Sequence, residues 1–339
     1  MTVSPPTDSP PATRNTGPNP APATAQSVID SVVAALANTP DPRLRQVMTT
    51  LVRHLHAFAE EVRLTEREWF TGIDFLTRTG RTCTDTRQEF ILLSDILGLS
   101  MLVDLVNHPT GGAASDSDVT AVAMTESTVT GPFYVPGGPH REHGASIAER
   151  LSGDPAWLTG RVLDTGGRPI ASAEVDVWQN GDNMLYAVQD PAAPPTNLRG
   201  VFRTRSDGSY ALLGVRPVDY PIPDDGPVGE LLTSTARHPW RPAHLHMTVR
   251  APGYQQVTTH LFDDESRYLD SDAVFGVKHS LIRHFHRHAP GEADRPPGVG
   301  SDQVWYSVAF NVILAPAALP TPAQETSAAG AQETWDAAR

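Results

Sequence analysis

The spacing of apolar residues changes once along this chain. Val28, Val32 and Leu36 recur every fourth residue, and Leu51, Leu55, Phe58 and Val62 continue a helical period in a second segment. Thr39-Pro40-Asp41-Pro42 separates the two, because proline cannot continue a helix and disfavours α geometry in the residue before it. A third segment, Arg87–Asn107, is apolar around most of its circumference, which predicts a helix buried on several sides and ended by His108-Pro109-Thr110-Gly111-Gly112. From about Trp157 the period falls to two. Strands are predicted over 159–163, 174–178, 200–205, 209–213, 244–250, 257–262 and 304–314, with turn sequences such as Ser206-Asp207-Gly208 and Ala251-Pro252-Gly253 between them. The chain therefore reads as α+β, with a helical region over 26–125 and an antiparallel β-sandwich over 126–315. The flanks, 1–25 and 316–339, hold too few large apolar side chains to offset their ordering entropy, so disordered tails are expected.

Charge and composition narrow the function. Among 339 residues, 26 are Lys or Arg and 39 are Asp or Glu, a net −13 that argues against a general nucleic-acid binder. No run of 18 apolar residues exists, so no membrane span is expected. The N-terminus lacks the cationic and apolar stretches of a secretory signal, which makes the cytoplasm the expected compartment. Cys83 is the single cysteine, which excludes an intramolecular disulfide, a cysteine-built zinc site and an iron–sulfur cluster.

The chemistry concentrates in Arg241-Pro242-Ala243-His244-Leu245-His246. Alternate residues of a strand share a face, so His244 and His246 project together and form half of a metal site, or else two unrelated polar positions. A carboxylate could complete a two-His-one-carboxylate set; phenolates are the other option, and Tyr186 and Tyr220 lie in loops after strands. Spacing alone does not choose between them. A second histidine-rich run, Lys278 to His288, has basic neighbours that make it a poor cation site, and it reads as a solvated helix end.

Several ordered motifs resemble the intradiol ring-cleavage dioxygenases. They are Val175-Asp176-Val177-Trp178-Gln179-Asn180 leading to Tyr186, Gly200-Val201-Phe202-Arg203-Thr204, Ser206-Asp207-Gly208-Ser209-Tyr210, Pro217-Val218-Asp219-Tyr220-Pro221-Ile222-Pro223, and Arg241 to His246. Upstream, 94–103 and Thr130-Gly131-Pro132-Phe133-Tyr134 are similar to the branch that holds catechol and hydroxyquinol 1,2-dioxygenases. The resemblance implies one non-haem Fe(III) bound by Tyr186, Tyr220, His244 and His246, with Tyr220 leaving when substrate binds. It implies Arg241 beside the substrate, a transthyretin-like sandwich, and a homodimer formed through the N-terminal helices. His260 stands where many catechol-cleaving relatives carry glutamine, and it is a candidate to orient Arg241 or to donate a proton.

Substrate choice turns on Asp95, a carboxylate on a very apolar segment that needs a polar partner. Leu92 and Asp95 lie one helical turn apart, and Asp95 could either make a structural hydrogen bond or read a substituent hydroxyl. With Ile222-Pro223 after Tyr220, they look like the hydroxyquinol type; Val129, Gly131, Pro132 and Phe133 would form another wall. The expected reaction is oxidation of benzene-1,2,4-triol by O2 to 3-hydroxy-cis,cis-muconate, the tautomer of maleylacetate. A catechol or chlorocatechol 1,2-dioxygenase is the near alternative. A non-enzymatic transthyretin-like binding module is the distant one. The expected partners are thus a small aromatic diol or triol and O2, with no nucleic acid and no membrane.

Overall fold

The structure is a computed structural model that describes residues 24–108, 123–149 and 153–317; the expected tails fall almost wholly outside these residues, as does the turn expected after His108. The chain divides into two compact units, Met1–Asp74 and Phe75–Arg339.

The first unit is helical. Helix α1 (Ala25–Ala35) begins at a reciprocal capping box between Thr24 and Ser27. Helix α2 (Pro42–Glu61) begins with proline in its first turn, and Asp41 Oδ1 accepts from the Arg43 and Leu44 amides, so the expected separator also starts the next helix. Neither helix has a buried residue: Val28, Leu44, Leu51, Leu55 and Phe58 are all exposed. Helix α3 (Glu66–Thr82) runs across the division between the units and was not predicted. Its start is nevertheless written in Thr65-Glu66-Arg67-Glu68, where the Glu68 carboxylate accepts from the Thr65 amide at 2.9 Å.

In the second unit, the single helix expected over 87–107 is two, α4 (Glu89–Ile96) and α5 (Leu99–Asn107). Gly98 lies between them at φ 73°, a left-handed conformation that glycine adopts without steric cost. The strands follow: β1 (Pro155–Asp164), β2 (Glu174–Gln179), β3 (Arg199–Arg203), β4 (Ser209–Val215) and β5 (Tyr220–Pro221). After helix α6 (Pro227–Ser234) come β6 (Trp240–Arg241), β7 (His244–Arg250), β8 (Val257–Asp263), β9 (Ile282–Arg283), β10 (His286–His288), β11 (Trp305–Ala309) and β12 (Val312–Leu314).

One five-stranded sheet has the order β3-β2-β7-β8-β9. The other runs β10-β11-β1-β12, with β4 also on β1, and β5-β6 form a separate ribbon. The sheets are not purely antiparallel as expected: β1 pairs in parallel with β11 and β12, and β8 with β9. Each parallel pair is joined by a long excursion rather than a hairpin, as parallel neighbours require. The strand expected over 304–314 is likewise two. It breaks at Phe310-Asn311, where the Phe310 amide bonds Thr159 O and Asn311 Oδ1 accepts from the Arg161 amide. The histidine-rich run is not the end of a long helix: a single 3-10 turn, His279–Leu281, leads into the short strands β9 and β10. Phe285 enters the core between exposed His284 and His286, so the operative period there is two.

Both sheets contribute to one hydrophobic cluster, with Leu158, Val162 and Leu212 from one and Val175, Val177, Met247 and Leu261 from the other. A second cluster joins Leu92 and Ile96 of α4 to Ile222, to Val228 and Leu232 of α6, and to Ala273 and Val274. Among the described residues, no helix is long and apolar enough to cross a membrane.

Candidate metal centre

Strand β7 lies between β2 and β8, which places Trp178 and His260 on either side of His246. His244 and His246 share a face as their spacing requires, and their Nε2 atoms are 3.2 Å apart. His244 Nδ1 donates to Pro242 O at 2.6 Å, which leaves the Nε2 lone pair directed into the site. Trp178 stacks flat on the His246 ring, 4.8 Å between centroids. Tyr186 Oη is 3.0 Å from His246 Nε2, and the Tyr186 and Tyr220 rings meet edge to face at 5.4 Å. Tyr220 is not in a loop as expected: it opens β5 and pairs with Arg241 of β6, which carries it to the same point. All four side chains are buried. At Gly131, with φ 76°, an added Cβ would lie 3.3 Å from His246 Cε1, so the absence of a side chain there lets the backbone approach the ring.

These donors fit a metal ion. Bonds of about 2.0–2.1 Å at angles of about 90–110° put ligand atoms about 2.9–3.4 Å apart, the range spanned by the Tyr186, His246 and His244 contacts. The electrostatics agree. Burial, and then the Arg241 charge, push the His244 pKa down to about 3. Burial, then His244 and Arg241, hold His246 well below its usual range. Both imidazoles are thus neutral, the form that ligates. Burial and the neighbouring Tyr220 drive the Tyr186 pKa well above its ordinary value, so a cation is the partner that would make its phenolate accessible.

His260 forms a tight group with the two imidazoles, one ring nitrogen of each lying within 4.8 Å of the others. Neither of its ring nitrogens completes a hydrogen bond among the described residues, although the Val129 backbone weakly favours its protonated form. Burial, and then His246 and His244, keep it neutral. Among the described residues, Arg241 hydrogen-bonds Asp272, Tyr220 and His244, and His260 is not one of its partners. Arg241 NH1 is 3.4 Å from Tyr220 Oη and 3.3 Å from His244 Nε2. Asp272, 31 residues downstream, was not anticipated from the sequence; Oδ1 accepts from Arg241 Nε at 3.0 Å. Burial disfavours both charges, and each is restored by the other: Arg241 is held above its usual pKa and Asp272 below.

Asp95 is 3% exposed, and burial raises its pKa to about 6 against the opposing effects of a Ser100 hydrogen bond and the Arg241 charge. With Val129, Thr130 and Gly131 it lines a cavity of about 640 Å3. Leu92 and Ile222 pack together in the second hydrophobic cluster, and Phe133 stacks on Tyr186 at 4.8 Å. Pro132 and Pro223 are half-buried.

A dioxygenase family model matches residues 129–316, and a model of the catechol dioxygenase N terminus matches 41–114. The chain is an intradiol ring-cleavage dioxygenase by family. It is similar to the 6-chlorohydroxyquinol 1,2-dioxygenase of Cupriavidus pinatubonensis, 51% identical over 77% of this chain and 91% of that one. It is 46% identical to the hydroxyquinol 1,2-dioxygenase of Nocardioides simplex, over 86% of this chain and 96% of the relative. The crystal structure of a hydroxyquinol 1,2-dioxygenase from Pseudomonas putida superposes with a TM-score of 0.77 at 46% identity, covering 86% of this chain and 99% of that one. Intradiol dioxygenases depend on non-haem iron, which is the kind of ion this donor set suits.

Proposed function

We propose that this chain is a hydroxyquinol 1,2-dioxygenase that uses one ferric ion per subunit, held by Tyr186, Tyr220, His244 and His246. The observation that carries the reading is the convergence of Tyr186 Oη and the two Nε2 atoms within 3.2 Å of their neighbours, with Tyr220 beside Arg241. Two hard phenolates suit the trivalent state, and together with one hydroxide they neutralise it, so no net charge need be buried at rest. Held by these four residues, ferric iron would supply the withdrawal of electron density that makes the bound aromatic ring reactive toward O2.

The residues of the chain account for the rest. A catechol has two protons to lose before it can bind through both oxygens; Tyr220 Oη would accept one and the hydroxide the other. Arg241 NH1, already directed at that oxygen, stabilises negative charge on the bound ring as it ketonises. Leu92, Val129, Gly131, Pro132, Phe133, Ile222 and Pro223 form the walls against the ring, and His260 lies behind the imidazoles as a further proton-handling group. Asp95 reads the third hydroxyl, because a buried polar partner rejects a substrate that lacks the matching group far better than an apolar wall does.

The two sheets are read as a transthyretin-like sandwich over 126–315, and the helical region over 26–125 as the homodimer contact of a cytoplasmic enzyme. The deciding experiment compares kcat/KM for benzene-1,2,4-triol, its 6-chloro derivative, catechol and 3-chlorocatechol. Preference for the triol is expected; a preference for catechol or chlorocatechol would assign the chain to those branches instead.

A further inference from the structure

We propose that Asp272 is the positioning residue for Arg241, and that Gly276 keeps open the space the pair needs; the inference rests on the active-site reading above. A guanidinium has three nitrogens, and here one edge is fully taken. Nε donates to Asp272 Oδ1 at 3.0 Å and NH2 to Oδ2 at 3.3 Å, a fork-to-fork pair that sets the plane of the group as well as its place. The remaining nitrogen, NH1, is the one that reaches Tyr220 and His244. With its Nε–NH2 edge fixed, the guanidinium can present only NH1 to the reacting centre.

Asp272 is itself immobilised. The Val274 amide donates to Oδ1 at 3.2 Å and the Gly276 amide to Oδ2 at 2.9 Å, so the two carboxylate oxygens accept four hydrogen bonds. Both side chains of the pair are 2% exposed, and the pair carries no net charge into the interior. A Cβ on Gly276 would lie 3.0 Å from Arg241 NH2 and 3.2 Å from Asp272 Oδ2, closer than carbon normally approaches either. The backbone of this loop therefore closes around the pair and leaves no slack. Nothing in the local sequence marks Asp272 for this role, because its partner lies on a different element 31 residues earlier.

Asp272→Asn keeps the shape and removes the charge, while Gly276→Ala keeps the charge and displaces the pair. Both are expected to retain iron and the visible phenolate-to-iron band, and to lose about 100-fold in kcat with a smaller change in KM, the scale at which a misplacement near 1 Å acts. Asp272→Glu should lose less than Asp272→Asn. The dissociation constant of 4-nitrocatechol, titrated anaerobically on the charge-transfer band, should rise in both variants. The decisive arm is a double-mutant cycle with Arg241→Gln. If Asp272 acts through Arg241, adding Asp272→Asn to Arg241→Gln costs nothing further in kcat; equal losses in both backgrounds would show a merely structural role and overturn the proposal. A wild-type protein without iron or its band would instead overturn the active-site reading itself.

Discussion

At the scale of single residues, the site is a set of groups whose ordinary ionisation has been overridden by burial. His244 and His246 are neutral far below the pH at which exposed imidazole gains a proton, and burial beside Tyr220 makes Tyr186 resist ionisation. Tyr186→Phe and His246→Ala should each abolish the visible band and ring cleavage together, read by absorbance and iron content on the purified protein. His284→Ala with His286→Ala should leave iron stoichiometry unchanged, since those side chains are exposed and His284 is engaged with Asp264 at 3.0 Å. Asp95 gives a pH signature. Its folded pKa of about 6 lies above the ordinary 3.8, so the folded chain holds the proton more tightly than the unfolded one. The stability this contributes is complete below about pH 4 and is lost as pH rises through about 6. That difference in proton affinity corresponds to about 3 kcal/mol. Asp95→Asn should therefore remove that loss, gaining in Tm relative to wild type between pH 4 and 7, and should lower the preference for the triol over catechol.

At the scale of elements, the breaks decide more than the runs. Gly160 lies on β1 where its partner changes from β11 to β12, and an added Cβ would fall 1.7 Å from Phe310 O. Gly160→Ala should cost about 3 kcal/mol, at the upper end for overpacking, measured by chemical denaturation. Gly98→Ala, which only forces a left-handed conformation beside the Phe275 ring, should cost about 1–2 kcal/mol. Such breaks explain what could be read in advance. Helices α1 and α2 and the long strands followed from period and proline placement, because local pattern decides them. The divisions at Gly98 and at Phe310-Asn311 depend on distant partners, whereas the start of α3 is written locally in its capping residues. In the site, the alternation of His244 and His246 was visible as geometry. The two tyrosines were visible only through family resemblance, because their convergence is made by β5, β6 and the 186 loop in three dimensions. Asp272 was not visible at all, since no short-range pattern links it to Arg241.

At the scale of the whole molecule, apolar residues that a helical period would place in a core instead face outward. Leu51, Leu55, Phe58, Trp69 and Phe70 are exposed in the first unit, more than a stable monomer ordinarily presents. If they form the contact between two copies, Leu55→Glu with Phe58→Glu should shift sedimentation from dimer to monomer without removing iron, which analytical ultracentrifugation and metal analysis would separate.

The neutral, fully enclosed imidazoles carry one more implication. Tyr186 Oη and the Nε2 atoms of His246 and His244 crowd together at 3.0 and 3.2 Å in a buried site, so this part of the interior is unfinished as a piece of protein alone. An ion that completes it would bind the native chain and not the denatured one, and would add its binding free energy to the native state. The supply of iron would then set how much of the chain withstands heat and denaturant, as well as how much of it is active.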